Sequence, residues 1–105
     1  MDMARDFYTG FDLCYVEGDE ILTYGGGIRV VRFDEHYIRD RHERIIGRLG
    51  FNSEVWDENN AAVARIYEEY VRGEGEYEEH RYEVPTHCSE LEKAALFWGA
   101  VLIKR

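Results

Sequence analysis

The segment Asp34-Glu-His-Tyr-Ile-Arg-Asp-Arg-His-Glu-Arg-Ile-Ile-Gly-Arg-Leu-Gly50 sets how many helices the fold contains. Asp34 is a good N-cap and Gly50 a natural stop. Between them Ile38, Ile45, Ile46 and Leu49, joined by Tyr37 and His42, form an apolar stripe. Arg39, Asp40, Glu43, Arg44 and Arg48 fall on the other side at spacings that allow ion pairs along a helix. The spacing therefore predicts a helix from Asp34 to about Leu49 with one dry side. Phe51 to Trp56 reads as a linker with an aromatic anchor. A second helix is expected from Asp57 through Val63, Ile66, Tyr67, Tyr70 and Val71 to a stop at Gly73.

Upstream, Met1 to Gly10 lacks periodicity and reads as an irregular arm. Phe11 to Val16 alternates as a strand with Phe11, Leu13 and Tyr15 on one face, and Glu17-Gly-Asp-Glu20 supplies turn chemistry. Ile21 to Tyr24 would be its partner. Gly25-Gly-Gly27 breaks that strand, and Ile28 to Phe33 resumes in β-branched residues, completing a three-stranded meander.

Downstream, Gly73-Glu-Gly75 marks a turn, and Tyr77 to Val84 alternates with His80, Tyr82 and Val84 on one side. Pro85 ends that strand. Ser89 and Glu92 make a capping box, opening a helix to Arg105 that is apolar on almost every side. Such a helix must be covered from several directions. The expected order is βββααβα: an α+β fold in which a small antiparallel sheet of three to four strands packs on about three helices, in one domain spanning residues 1–105. No internal repeat stands out.

At 105 residues with 45% hydrophobic content, the chain can bury one core. A net charge of −9 argues against direct nucleic-acid binding and against an anionic membrane surface, but leaves basic partners open. The N-terminal stretch shows no apolar signal core and the C-terminal apolar run is too short for a bilayer span, so a cytoplasmic protein is the expectation. Cys14 and Cys88 then read as buried thiols rather than a disulfide.

Motifs for chemistry are sparse. His36, His42, His80 and His87 with Cys14 and Cys88 show no zinc-type spacing, and adjacent His87 and Cys88 do not readily face one ion. Neither a metal ligand set nor a cofactor is implied. The Gly25–Gly27 run lacks the following helix of a phosphate loop. Ser89 is accounted for as a cap, and neither Ser89 nor Ser53 lies in a nucleophile elbow. With no acid–base constellation, the chain reads as non-enzymatic.

What exceeds background is an acidic, tyrosine-bearing block. Glu68, Glu69, Tyr70, Glu74, Glu76, Tyr77, Glu78, Glu79 and Glu83 are the candidate partner-binding residues, carboxylates steering and pairing with Lys or Arg while tyrosines anchor. Carboxylates of this density also compete with phosphates for a basic groove. The competing expectation is a solvated face that keeps a small domain soluble.

The tail Pro85-Thr-His-Cys-Ser-Glu-Leu-Glu-Lys-Ala-Ala95, leading from a strand into an aromatic-bearing helix through Trp98 in a small acidic chain, resembles some phage-encoded anti-CRISPR proteins. That resemblance implies an inhibitor that binds a CRISPR effector and blocks nucleic-acid recognition. It carries over no binding residue. The reading is thus a protein-binding inhibitor whose acidic surface docks on the basic nucleic-acid groove of a host-defence effector. Two alternatives stand beside it: a metal- or ligand-binding module or enzyme using the histidines, and a homo-oligomeric domain, with a homodimer formed through the C-terminal helix.

Overall fold

The computed structural model describes residues 1–105 and contains ten strands and one α-helix. The strands are β1 (Met3–Asp6), β2 (Asp12–Glu17), β3 (Glu20–Thr23), β4 (Arg29–Asp34), β5 (Tyr37–Asp40), β6 (Ile45–Leu49), β7 (Glu54–Asp57), β8 (Ala62–Ile66), β9 (Tyr70–Gly73) and β10 (Arg81–Glu83). A single 3₁₀ turn, Gly75–Tyr77, precedes β10, and α1 runs from Glu90 to Lys104. Each strand pairs antiparallel with its sequence neighbours, and β1 pairs with β10 to close a barrel.

The α+β expectation of three to four strands and three helices is therefore corrected: the two internal helices are absent. Asp34 to Gly73 instead folds as successive hairpins, with Glu35, Glu43, Asn52, Ser53 and Asn60 at positive φ in the turns. Those left-handed residues end any helical hydrogen-bond ladder. Gly47 within the segment and the β-branched Ile38, Ile45, Ile46, Val55, Val63, Ile66 and Val71 favour strands. Tyr67 and Tyr70, spaced as if to share a helix face, stack with ring centroids 4.6 Å apart across a hairpin turn.

A repeat is also present, at about 17 residues. Ile21, Ile38, Val55 and Val71 occupy the same inward position of four successive hairpins, all fully buried. The cross-strand pairs Tyr15↔Leu22, Arg32↔Arg39, Arg48↔Trp56 and Arg65↔Arg72 repeat on the outer wall. One backbone bond recurs five times between neighbouring hairpins: Val16 to Asp2, Phe33 to Asp19, Leu49 to His36, Ile66 to Ser53 and Val84 to Glu69, each amide donating to the carbonyl at 2.7–2.9 Å. The fifth hairpin is split between the chain's two ends, β10 and β1. The N-terminal arm expected to be irregular is thus the closing strand, with Ala4 fully buried.

The helix fills the barrel. At 1.5 Å per residue its 15 residues reach about 22 Å, close to the ~20 Å of the longest strands. Ser89 accepts from the Glu92 amide, and the Glu92 carboxylate accepts from the Ser89 amide at 2.8 Å, completing the capping box. Every residue from Lys93 to Val101 is buried, so the all-round apolarity is covered within one chain. Small residues let the wall approach: a Cβ on Gly99 would lie 2.7 Å from Ile21 Cγ2, and one on Gly47 would lie 2.7 Å from the Trp56 carbonyl and overlap the Trp98 indole. In β2 it is Cys14 that points inward, while Phe11 is exposed, the reverse of the face expected from alternation. The helix is too short to cross a membrane, as the chain's only one.

Candidate functional site

Alternating strand direction sorts the turns into two ends. At one end, where α1 begins, lie the turns after β2, β4, β6 and β8. Two of these turns hold the helix entry, where Lys93 Nζ donates to the Glu68 carbonyl at 2.8 Å and Ser53 bonds Glu90, and beside them His87 Nε2, between β10 and α1, meets Asp2 Oδ1 at 2.7 Å. At the other end α1 finishes, and Lys104 Nζ donates to Asp6 Oδ2 at 2.5 Å. There Asp6, Asp40 and Asp57 each close the turn after their strand by accepting two backbone amides at 2.8–3.1 Å, which fixes three of the five loops.

The candidate residues divide between these ends. Glu68 and Glu69 sit in the β8–β9 turn beside the helix entry, whereas Glu74, Glu76, Glu78 and Glu79 surround the 3₁₀ turn at the exit. Tyr70 and Glu83 belong to the wall between them. Arg81 stands 4.4 Å from the Tyr70 ring on one side and 4.0 Å from Phe7 on the other. Tyr77 turns inward, its ring meeting Trp98 edge to face at 5.6 Å, so its area serves the core. The exit end therefore gathers four of the nine as a free group, and one groove there joins Glu76 and Tyr77 to Asp57, Glu58 and Arg105.

Glu58 was not singled out in the sequence because its neighbourhood read as a helix start. The same end also exposes Phe7, Tyr8, Phe11, Tyr24 and Ile28 on the β1–β2 and β3–β4 loops. These side chains offer apolar area that the inward Tyr77 does not. Phe11, Tyr24 and Ile28 fall in runs that read as strands and Phe7 and Tyr8 in the arm that reads as irregular, so the five do not stand out as one surface in the sequence.

The arginines of the wall have partners and the glutamates of the β7–β8 and β9–β10 loops do not, while elsewhere at the exit end Asp40 pairs with Arg44 and Asp6 with Lys104. Arg29 and Arg32 share Glu43, Arg65 meets Glu54 at 3.4 Å and Arg5 meets Asp12 at 3.0 Å. Arg48 lies over Trp56 and Tyr37, at 5.0 and 5.8 Å from the ring centroids. By contrast Glu58, Glu68, Glu69, Glu74, Glu76, Glu78, Glu79 and Glu83 form no ion pair.

Inside the exit end, His80 Nδ1 lies 2.5 Å from the Tyr82 hydroxyl, and the Lys104 ammonium stands 5.8 Å from the Tyr82 ring. Burial lowers the His80 pKa, Lys104 and Arg105 lower it further, and Glu79 and Asp6 only partly oppose them. Burial raises the Tyr82 phenol, so it is a hydrogen-bonded core group rather than a ready nucleophile. Cys14, pushed up to about 12 by burial, is likewise an unreactive thiol. Both cysteines are free. His36 and His42 occupy separate turns, His36 at the helix-entry end and His42 at the exit end.

No family model, curated protein or solved structure matches this chain.

Proposed function

We propose that this chain is a protein-binding module whose helix-exit end docks on a basic protein surface. The observation that carries this reading is the contrast in pairing: wall arginines have carboxylate or aromatic partners, whereas the glutamates at 58, 74, 76, 78 and 79 have none. Unpaired carboxylates keep their field for an incoming cation and raise its association rate. Phe7, Tyr8, Phe11 and Tyr24 at the same end supply the apolar anchors that a charged rim alone lacks. The resemblance to anti-CRISPR proteins makes the nucleic-acid groove of a CRISPR effector the first partner to try, with the glutamates standing in for phosphates.

The test is binding to a guide-loaded CRISPR effector and to other basic nucleic-acid-binding proteins, at low and high salt, with and without target nucleic acid. The expected result is salt-sensitive binding displaced by nucleic acid and weakened at least tenfold by Glu76→Lys, Glu78→Lys and Glu79→Lys together. Binding that the triple variant retains in full would overturn the proposed face.

A further inference from the structure

At the opposite end, the fold assembles a cluster that spacing alone disfavoured. Asp2 lies just before β1, while His87 and Cys88 lie between β10 and α1. The closed barrel brings a carboxylate oxygen, an imidazole nitrogen and the Cys88 sulfur all within 4.8 Å of one another. His87 Nε2 and Asp2 Oδ1 are already 2.7 Å apart across a separation of 85 residues. From these three donors we infer that Asp2, His87 and Cys88 form a site for one zinc-class divalent cation that clips the two ends of the chain together.

The donor set suits a borderline-soft ion, since thiolate, imidazole and carboxylate are all ordinary zinc ligands. A tetrahedral ion with bonds of about 2.0–2.3 Å holds its ligands roughly 3.3–3.8 Å apart. The Asp2–His87 contact, now 2.7 Å, must therefore open by roughly half an ångström or a little more, and the sulfur, within 4.8 Å, must settle at that same ligand spacing. His87 can move, because its side chain is 70% exposed. That exposure also leaves the fourth position facing solvent, where a water completes the coordination.

The local charge favours a cation. Cys88 is only 6% exposed, and a carboxylate oxygen of Asp2 lies within 4.8 Å of its sulfur. A carboxylate beside a buried sulfur that binds as thiolate forms a negative pocket that a dication neutralises. On binding, the thiol gives its proton to bulk water and the thiolate takes the metal.

The consequence is mechanical. The fifth hairpin is the one unit whose strands come from the two ends of the chain, so no short turn holds β1 to β10. A metal bridging Asp2 to His87 and Cys88 supplies that connection and closes a long loop, the geometry in which a cross-link constrains the unfolded chain most. Its place is distinct from the acidic exit end, and it stands or falls independently of the proposed docking.

The experiment uses the full chain without a histidine tag, stripped by chelator and titrated with cobalt(II) as a spectroscopic probe and with zinc. The expected result is a thiolate-to-cobalt charge-transfer band saturating at one ion per chain, and a higher Tm with zinc that chelator reverses. Cys88→Ser should abolish the band, and His87→Ala and Asp2→Asn should each weaken binding at least tenfold. His87→Ala removes an exposed side chain and should leave the apo protein folded by circular dichroism, which keeps that variant decisive. Absence of the band, or binding unchanged in both Cys88→Ser and His87→Ala, would overturn the site and place any bound ion among surface carboxylates.

Discussion

Lys104 and Asp6, 98 residues apart in the chain, meet at 2.5 Å and fasten the last turn of the central helix to the end of the first strand. Asp6 is 2% exposed and also accepts the Tyr8 and Thr9 amides, so one carboxylate joins helix, strand and turn. Asp6→Ala should destabilise the protein by about 1–3 kcal/mol, the range for leaving buried donors without their acceptor. Chemical denaturation of the variant measures this. Asp6→Asn, which retains shape, should lose less.

The same carboxylate sets an acid limit. Burial raises the Asp6 pKa, but the bonds from Lys104, Thr9 and Tyr8 outweigh it and hold the group below its ordinary value of 3.8. A carboxylate depressed in the folded state contributes stability that is fully present above its unfolded pKa and is lost as pH falls through the folded one. Stability should therefore drop below about pH 3.8, and Asp6→Asn should flatten that part of the profile.

His80 acts at milder pH. Its pKa is lowered from 6.5, chiefly by burial and then by Lys104 and Arg105. The unfolded chain then takes up the proton first, so stability is greatest above pH 6.5 and declines as pH falls from there towards the folded pKa. NMR titration should show His80 protonating below pH 6.5. His80→Gln should remove the decline.

Gly47 and Trp98 test the close fit of helix to wall. A Cβ at Gly47 would fall within the indole and 2.7 Å from the Trp56 carbonyl, backbone that has little room to shift. Gly47→Ala should destabilise by about 1–3 kcal/mol or more by overpacking. Pairing it with Trp98→Phe should restore part of the loss in a double-mutant cycle, whereas additive losses would mean that the two positions do not touch.

Lys93 is a buried cation at the helix entry that donates to the carbonyls of Tyr67 and Glu68, at 3.5 and 2.8 Å. Lys93→Met keeps the apolar stem and removes the donor. Amide exchange should accelerate in the β8–β9 hairpin while α1 stays protected. Uniform acceleration over the whole chain would mean that the bond supports global stability rather than this turn.

Several elements are legible in the sequence alone. Ser89 and Glu92 announced the helix start because a capping box is local chemistry, and β2, β3 and β4 were marked by alternation and by the turns at Glu17–Glu20 and Gly25–Gly27. The strand before Pro85 was readable in its second half, Arg81–Glu83, whereas Tyr77, where the alternating run begins, ends a 3₁₀ turn. The region from Asp34 to Gly73 was misread because a short hairpin can imitate a helix. Val63, Ile66, Tyr67, Tyr70 and Val71 follow helical spacing, yet Ile66 and Val71 face each other across a ladder. For the candidate site, the glutamates were visible as charge, but their separation into two ends was hidden in the direction of β9.

By itself the sequence determined a C-terminal helix with a defined cap that must be enclosed on all sides, and an acidic chain with clustered glutamates. Only the tertiary structure decided what encloses that helix. The strands of Asp34–Gly73 pair with their sequence neighbours and their β-branched residues and left-handed turns favour them, but in short hairpins the apolar spacing also fits a helix, so the assembled ladder decides between the two. Closure of the barrel brings β1 to β10, places Asp2 beside His87 and Cys88, and carries Asp6 to Lys104. No local pattern encodes those meetings, because each joins residues from the two ends of the chain.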